Sequence, residues 1–467
     1  MSLWMADAAK QAMAATLSGD APAISGISID TRTLEPGDLF FAIQGDVRDG
    51  HEFVSAALQK GAAGAVVLRD RMDEFAGQGS LYGVDDVLGA LVALGLAARA
   101  RTHARIVAVT GSVGKTGTKE ALKALLEKQG RTHASVASYN NHWGVPLTLA
   151  RMPAETEFGI FEIGMNHANE ISPLVKMVRP HVAMITAIAP VHLENLGSIE
   201  AIADAKGEIF DGLSRDGVAI IPGDSEFADR LAGHATRNAV TRMVRFGEKA
   251  ACDPRLLSIH LHADGSDAMV SMDGKTLAVA FGSPGRHVAM NGLAVLAAIG
   301  ALGGDVQRAA QDFATVTPPS GRGQRIALGG ITLVDESYNA NPASMRAAFS
   351  VLGSMKVTGR RIVALGDMLE LGAEENAMHR DLAEPLADAK VDLVFAAGHR
   401  MKHLFEALPL NQRGAWADHA EALKPYVLEA LRDGDVIMVK GSNSSRMSLL
   451  VRAIKDQFDD PRQAGEA

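Results

Sequence analysis

Cysteine is almost missing: Cys252 stands alone among 467 residues, which excludes an internal disulfide and a cysteine-based zinc site. It is expected to be a small buried hydrophobe. Basic charge is not in excess either. The net charge of -9 argues against nucleic-acid binding through a broad basic face, so any anionic ligand must find its positive charge locally. The longest apolar stretch, Val87 to Ala98, falls short of the roughly 20 residues that span a bilayer, so no stable membrane insertion is expected. The segment MSLWMADAAK has no basic part followed by an apolar one, and the cytoplasm is the expected location. Low-complexity segments and fixed-period repeats are absent.

Core material is plentiful. Hydrophobic residues make up 47% and charged residues 22%, the profile of a globular chain, and at roughly 150 residues per domain the length predicts about three domains. Residues 1–101 carry the short runs ISGISIDTR, GDLFFAIQG and GAAGAVVL, punctuated by Pro36-Gly37, as in a small mixed α/β unit. An alanine- and leucine-rich helix over Val87–Arg101 leads into residues 102–317, where Arg105–Val109, FGIFEIG, VAMITAI and GVAIIPG alternate with helical patterns. That alternation suits a parallel sheet wrapped by helices, an ATPase-like nucleotide-binding core. The pattern breaks at Thr317-Pro-Pro-Ser-Gly-Arg-Gly.

Residues 318–467 restart the alternation with ITLVDESYN, RRIVALGDM, VDLVFAAG and DVIMVKGSN, a Rossmann-like α/β unit. Ligands bind beyond the carboxyl ends of such strands, so Asp335, Glu336, Gly366, Asp367, Lys440 and Ser442 are expected on one rim. Asn341-Pro342 reads as an N-cap followed by proline at the first helical position.

The stretch TGSVGKTGTKE, Thr110 to Glu120, sits between a strand and a helical pattern. Free N–H groups at a helix N-terminus and the helix dipole attract phosphate, so Thr110, Gly111, Ser112, Val113, Gly114, Lys115, Thr116 and Gly117 are expected to cradle ATP. Glycines allow close approach, Lys115 reaches the β- and γ-phosphates, and the Thr116 hydroxyl completes a Mg²⁺ shell. Only two residues separate Gly111 from Gly114, where the common loop has four. A tight turn with a surface lysine is the competing reading. No Asn-Lys-x-Asp guanine reader occurs. The loop identifies the energy source and not the work done.

Together with EIGMNHANEI, VHLENLGSIEAIADAKGEIF, DESYNANPASM and ALGDMLELG, this loop resembles the Mur ligase family of peptidoglycan synthesis, in the family's order and through all three stretches. SYNANPASM and GDMLELG are most similar to the member that joins D-alanyl-D-alanine to UDP-N-acetylmuramoyl-tripeptide. The resemblance implies an ADP-forming ligase that passes through an acyl phosphate, with two Mg²⁺ ions and Lys115, His192, Lys206 and Arg322 as catalytic residues. It implies Glu162 and Thr116 on one Mg²⁺, and His192 with Lys206, carbamylated by CO₂, on the other. Pattern alone would make Glu162 a solvated strand-end carboxylate, His192 a loop histidine and Lys206 an exposed structural lysine.

By the same resemblance Asn291 reads adenine, Arg322 holds the γ-phosphate, and Asp335, Glu336 and Tyr338 lie at the ATP ribose. Ser28, Asp30, Thr31 and Arg32 would serve the uridine diphosphate, with Asp49, His51 and Phe53 around the base. Asn140 and Asn141 would contact the peptide arm, and Asp367, Lys440, Ser442 and Asn443 the incoming dipeptide. Two positions depart from the family's pattern. Glu336 stands where aspartate is frequent, and Asn443 where arginine is common, with Arg446 three places later. Lys440 or Arg446 is then left to pair with the dipeptide carboxylate. A monomer is expected. The competing readings are a Mur-type ligase adding the third residue, a non-catalytic ATP-sensing module and a folylpolyglutamate-type ligase, against which ISIDTR and DGHEF argue.

Overall fold

The computed structural model describes residues 2–458 apart from Ala21 and Ala263, so the end of the third unit, residues 459–467, lies outside the described residues. In the first unit Gly26–Ser28, Asp38–Phe41, Gly64–Leu68 and Leu81–Val84 form a parallel sheet, and Thr16–Ser18 closes it antiparallel. The central sheet runs Arg242–Phe246, Val218–Pro222, Val182–Ile185, Arg105–Thr110, Phe158–Glu162, Thr132–Ala134, with every pairing parallel. Parallel strands require crossovers, and the crossover helices cover both faces. Later strands depart to both sides of Arg105–Thr110, so the crevice beyond Thr110 is a switch point where ligands bind.

In the third unit Ile331–Glu336, Val436–Lys440, Arg361–Gly366, Leu393–Ala397 and Arg413–Ala417 are parallel, with Gln324–Leu328 antiparallel at one edge. Register sets the rims. Val109 pairs with Glu162, and Glu336 with Lys440. One element was not anticipated: Arg255–His262, Gly265–Met272 and Lys275–Phe281 form a separate antiparallel sheet. Its apolar face, including Val270, Val279 and Phe281, covers the helix Arg286–Ala301. That helix lies between two sheets and is buried almost all round, so its sequence shows little amphipathic pattern. Gly292 permits the approach, since a Cβ there would lie 2.2 Å from Phe281.

The first two units share an apolar cluster in which Trp4, Leu39, Tyr82 and Leu91 pack with Leu147 and Ala150 of the helix Gly144–Ala150. Trp4 Nε1 donates to the Ala150 carbonyl at 2.9 Å, and Arg151 to that of Ile27 at 2.7 Å. Contacts from the central unit to the third include polar ones, His192 to Glu370 and Ser138 to Arg322.

The helix Pro342–Ser354 begins with a reciprocal cap: Asn341 Oδ1 accepts from the Ser344 N–H at 2.9 Å, and Ser344 Oγ accepts from the Asn341 N–H at 3.0 Å. Asn341→Ala should cost about 1 kcal/mol, which is roughly a fivefold faster hydrogen exchange of the Ser344 and Met345 amides. Unchanged exchange would show that the cap does not hold this helix end.

Candidate active site

The phosphate loop is shaped by contacts to the neighbouring rim. Gly111 and Gly114 have φ of 151° and 85°, a region that favours glycine. A Cβ at Gly111 would meet Thr186 Oγ1 at 1.9 Å, and one at Gly114 would meet the Asn291 amide at 2.5 Å. Thr186 Oγ1 donates to the Val113 carbonyl at 2.6 Å, and Ser112 Oγ donates to that of Ala189 at 2.9 Å. Thr186 and Ala189 thus set the loop's curvature from the next strand end. The helix Lys115–Leu126 starts at Gly114 and aims its N-terminus at this turn.

Glu162 ends its strand buried, 1% exposed. Its Oε2 accepts from Thr116 Oγ1 at 2.8 Å, and its Oε1 from Asn140 Nδ2 at 2.7 Å. A buried carboxylate that accepts from a hydroxyl and an amide offers, with that hydroxyl, the hard oxygen ligands that Mg²⁺ takes. Lys115 Nζ donates to the Gly111 carbonyl at 2.7 Å. Although part of Lys115 is open to solvent, its crowded surroundings press the ammonium below its ordinary pKa; Glu162 opposes this and Arg322 reinforces it. Lys206, 1% exposed in the helix Ile199–Gly207, is driven well below the ordinary lysine value by burial and then by Lys115. A neutral amine is what CO₂ captures; a charged one would repel a divalent metal.

His192 stands at the start of a short helix with φ of 56°. Its Nδ1 meets Glu370 Oε2 of the third unit, and Glu370 too is left-handed, at 62°. Burial lowers the imidazole pKa, Glu370 counteracts this, and Lys206 adds to the lowering. Arg322 lies 4.0 Å over the Tyr338 ring and 3.5 Å from Ser138 Oγ. Electrostatics and geometry therefore bring Lys115, Glu162, Lys206, His192 and Arg322 to one place.

Other expected site residues are also tied into the fold. His51, expected beside a base, is 2% exposed. Its Nδ1–H donates to Asp49 at 2.7 Å, and its Nε2 accepts from the Leu68 N–H at 3.1 Å. Both ring nitrogens are thereby used, and His51 braces the loop. Burial would raise the Asp49 carboxyl, but hydrogen bonds from His51 and Arg71 hold it at about 2. Phe53 is half-buried against the cluster around Phe40. Ser28 is buried and donates to the Asp30 carbonyl, Thr31 accepts from Lys60, and the exposed Arg32 is paired to Asp30 at 2.6 Å.

Lys440 is held inside the fold as well. It is 2% exposed, with Nζ 3.1 Å from Glu336 Oε2 and 3.0 Å from the Asn339 carbonyl, so its charge is neutralised inside the unit. Asp335 is buried and accepts from the Ser337 hydroxyl at 2.6 Å, which fixes it at its own strand end. Asp367 accepts from the Met401 N–H, Ser442 Oγ accepts from the Leu369 N–H, and Asn141 Oδ1 caps Gly144. Asn443 and Arg446 are exposed beside this rim.

Three family models match the chain in order: the Mur ligase family catalytic domain over residues 23–128, the Mur ligase middle domain over 109–299, and the Mur ligase glutamate ligase domain over 321–443. The UDP-N-acetylmuramoyl-tripeptide--D-alanyl-D-alanine ligase of Escherichia coli is 34% identical over 443 residues, covering 94% of this chain and 96% of the relative. The chain belongs to the Mur ligase family. The enzyme of the same name from Rickettsia prowazekii is 32% identical, covering 91% and 94%. A crystal structure of MurF from Acinetobacter baumannii superposes on this Mur ligase with a TM-score of 0.84 at 28% identity, over 97% of this chain and 99% of that one.

Sequence reasoning passed over Thr186, Ser138, Lys119 and Glu370 in this Mur ligase. Lys119 and Glu370 lie inside quoted motifs, but a helical lysine and a loop glutamate ordinarily read as solvated. The Glu370 contact has a direct test. In metal-free protein, Glu370→Gln removes the charge that opposes the lowering of His192, so the imidazole pKa should fall further in an NMR titration. An unmoved or raised midpoint would contradict the contact.

Proposed function

We propose that this Mur ligase joins D-alanyl-D-alanine to UDP-N-acetylmuramoyl-tripeptide at the expense of ATP, forming ADP and phosphate. What carries the reading is the gathering of Lys115, Arg322 and the Thr116–Glu162 pair at the phosphate loop, in a chain that parallels ligases of that name along nearly its whole length. The terminal carboxylate of the tripeptide attacks the γ-phosphorus and ADP leaves, giving an acyl phosphate. The dipeptide amine then attacks the acyl carbon, loses a proton, and phosphate departs. Such chemistry requires positioning and stabilisation of developing negative charge more than covalent help.

Lys115 and Arg322 supply that positive charge, Arg322 through a planar fork suited to phosphate oxygens. Thr116 and Glu162 would hold one Mg²⁺, and His192 with a carbamylated Lys206 a second; bound there, the ions would neutralise phosphate charge. The burial of Lys206 and its low pKa support carbamylation. Asn291, Tyr338 and Glu336 border the nucleotide, with Glu336 tied to Lys440. Ser28, Asp30, Thr31, Arg32 and Phe53 face the uridine end, Asn140 and Asn141 the peptide arm. Asp367, Ser442 and Asn443 line the dipeptide rim, where the exposed Arg446 is the cation left to meet the carboxylate.

The boundaries 101/102 and 317/318 divide the chain into three units, with nucleotide contacts from both the second and the third, and the working unit is a monomer. No helix among the described residues is long and apolar enough to cross a membrane. Reliance on ATP supports a cytoplasmic setting.

Phosphate release should require both UDP-tripeptide and D-alanyl-D-alanine; release from ATP alone would favour an ATP-sensing module. Lys115→Met should cut turnover by about 10²-fold or more, on the scale of losing one preorganised donor. Undiminished turnover would remove the loop from the mechanism. Lys206→Ala should be inactive until short carboxylates are added, and full activity without them would exclude a carbamate. Comparing tripeptides ending in lysine or diaminopimelate identifies the natural acyl donor.

A further inference from the structure

Lys119 lies one helical turn beyond Lys115 and is 0% exposed, a rare state for a lysine unless it is partnered. Its Nζ donates to the carbonyls of Ser135 and Ala137, each at 2.8 Å, and lies 2.6 Å from Glu120 Oε1. Three acceptors match the three donors of an ammonium. The two carbonyls belong to the stretch after the strand Thr132–Ala134, where Ala137 has φ of 48°, a conformation that alanine adopts only when its surroundings impose it. Immediately beyond, Ser138 meets Arg322 and Asn140 donates to Glu162. One buried ammonium thus ties the helix of the phosphate loop to the loop that reaches both Arg322 and Glu162. Truncating it would leave two inward-facing carbonyls without their donor.

We propose that Lys119 is the positioning residue that sets residues 135–141 against the phosphate loop, so that the acyl donor's carboxylate is held in line with the γ-phosphate. This rests on the reading of Asn140 and Asn141 as peptide-arm contacts. The loop of residues 110–117 that cradles the diphosphate is built from contacts to Thr186 and Ala189 that do not involve Lys119, so affinity for ADP should not follow the acyl donor's KM.

The test compares Lys119→Met and Lys119→Arg with the full-length wild type, measuring KM for UDP-tripeptide, KM for ATP, binding of a fluorescent ADP analogue and the melting temperature. Lys119→Met should raise KM for UDP-tripeptide at least tenfold while ADP-analogue affinity stays within about twofold, and arginine should restore part of the loss. Equal shifts in both KM values, or none, overturn the proposal. Should Lys119→Met fail to fold, the same ratio measured on Lys119→Arg decides; if neither folds, the side chain serves stability and the proposal falls. A wild type that releases no phosphate with UDP-tripeptide and D-alanyl-D-alanine overturns the functional reading and this proposal together. A competent wild type whose variants keep its UDP-tripeptide KM overturns this proposal alone.

Discussion

Positive charge gathered in a confined place is the constraint on which the rest of the structure depends. Lys115, Arg322 and Lys206 crowd the space beyond one strand end; burial presses down both lysines, and Arg322 adds to this at Lys115 and Lys115 at Lys206. The chain as a whole is acidic, with a net charge of -9, so this concentration is local. Burial magnifies the repulsion because the interior screens charge poorly. A triphosphate relieves it, and so does converting a lysine into an anion. The site is therefore built for a polyanion.

The same region shows how the fold controls its own loops. Glu162 is fixed by Thr116 and Asn140, Asn140 belongs to a segment held by Lys119, and Lys119 springs from the helix whose N-terminus faces the phosphates. The loop closes on itself through hydrogen bonds of ordinary length, each worth about 1 kcal/mol net. Its rigidity comes from their being linked. The first two units share an apolar cluster, which suits a platform for the acyl donor. Between the second and third units, the pair His192–Glu370 and the Arg322–Ser138 contact are polar and partly exposed. Surface pairs of that kind contribute little stability.

The large elements were legible in the amino-acid order because their signals are local. Apolar runs such as RIVAVT and FGIFE became central strands, and Asn341-Pro342 opened a helix. The antiparallel sheet of residues 255–281 was not read; its first strand, RLLSIHLH with only Leu256 buried, shows little alternation. Among site residues, the phosphate loop was visible because its glycines and lysine follow a strand directly. His51, Lys440 and Asp335 show what a motif leaves open: it records identity and position but not the direction a side chain faces. Each turned inward, where a neighbouring N–H, carbonyl, hydroxyl or carboxylate satisfied it.

By itself the sequence determined the alternation of strand and helix, the three-part division and the chemistry available at each strand end, since all of these follow from spacing and residue type within a few turns of chain. Only the tertiary structure decided which polar groups face a ligand and which are bound by the protein. That choice depends on partners far away in the chain, Glu370 for His192 and Ser135 for Lys119, and burial makes every such pairing obligatory, because a buried polar group left alone costs more than the bond itself contributes.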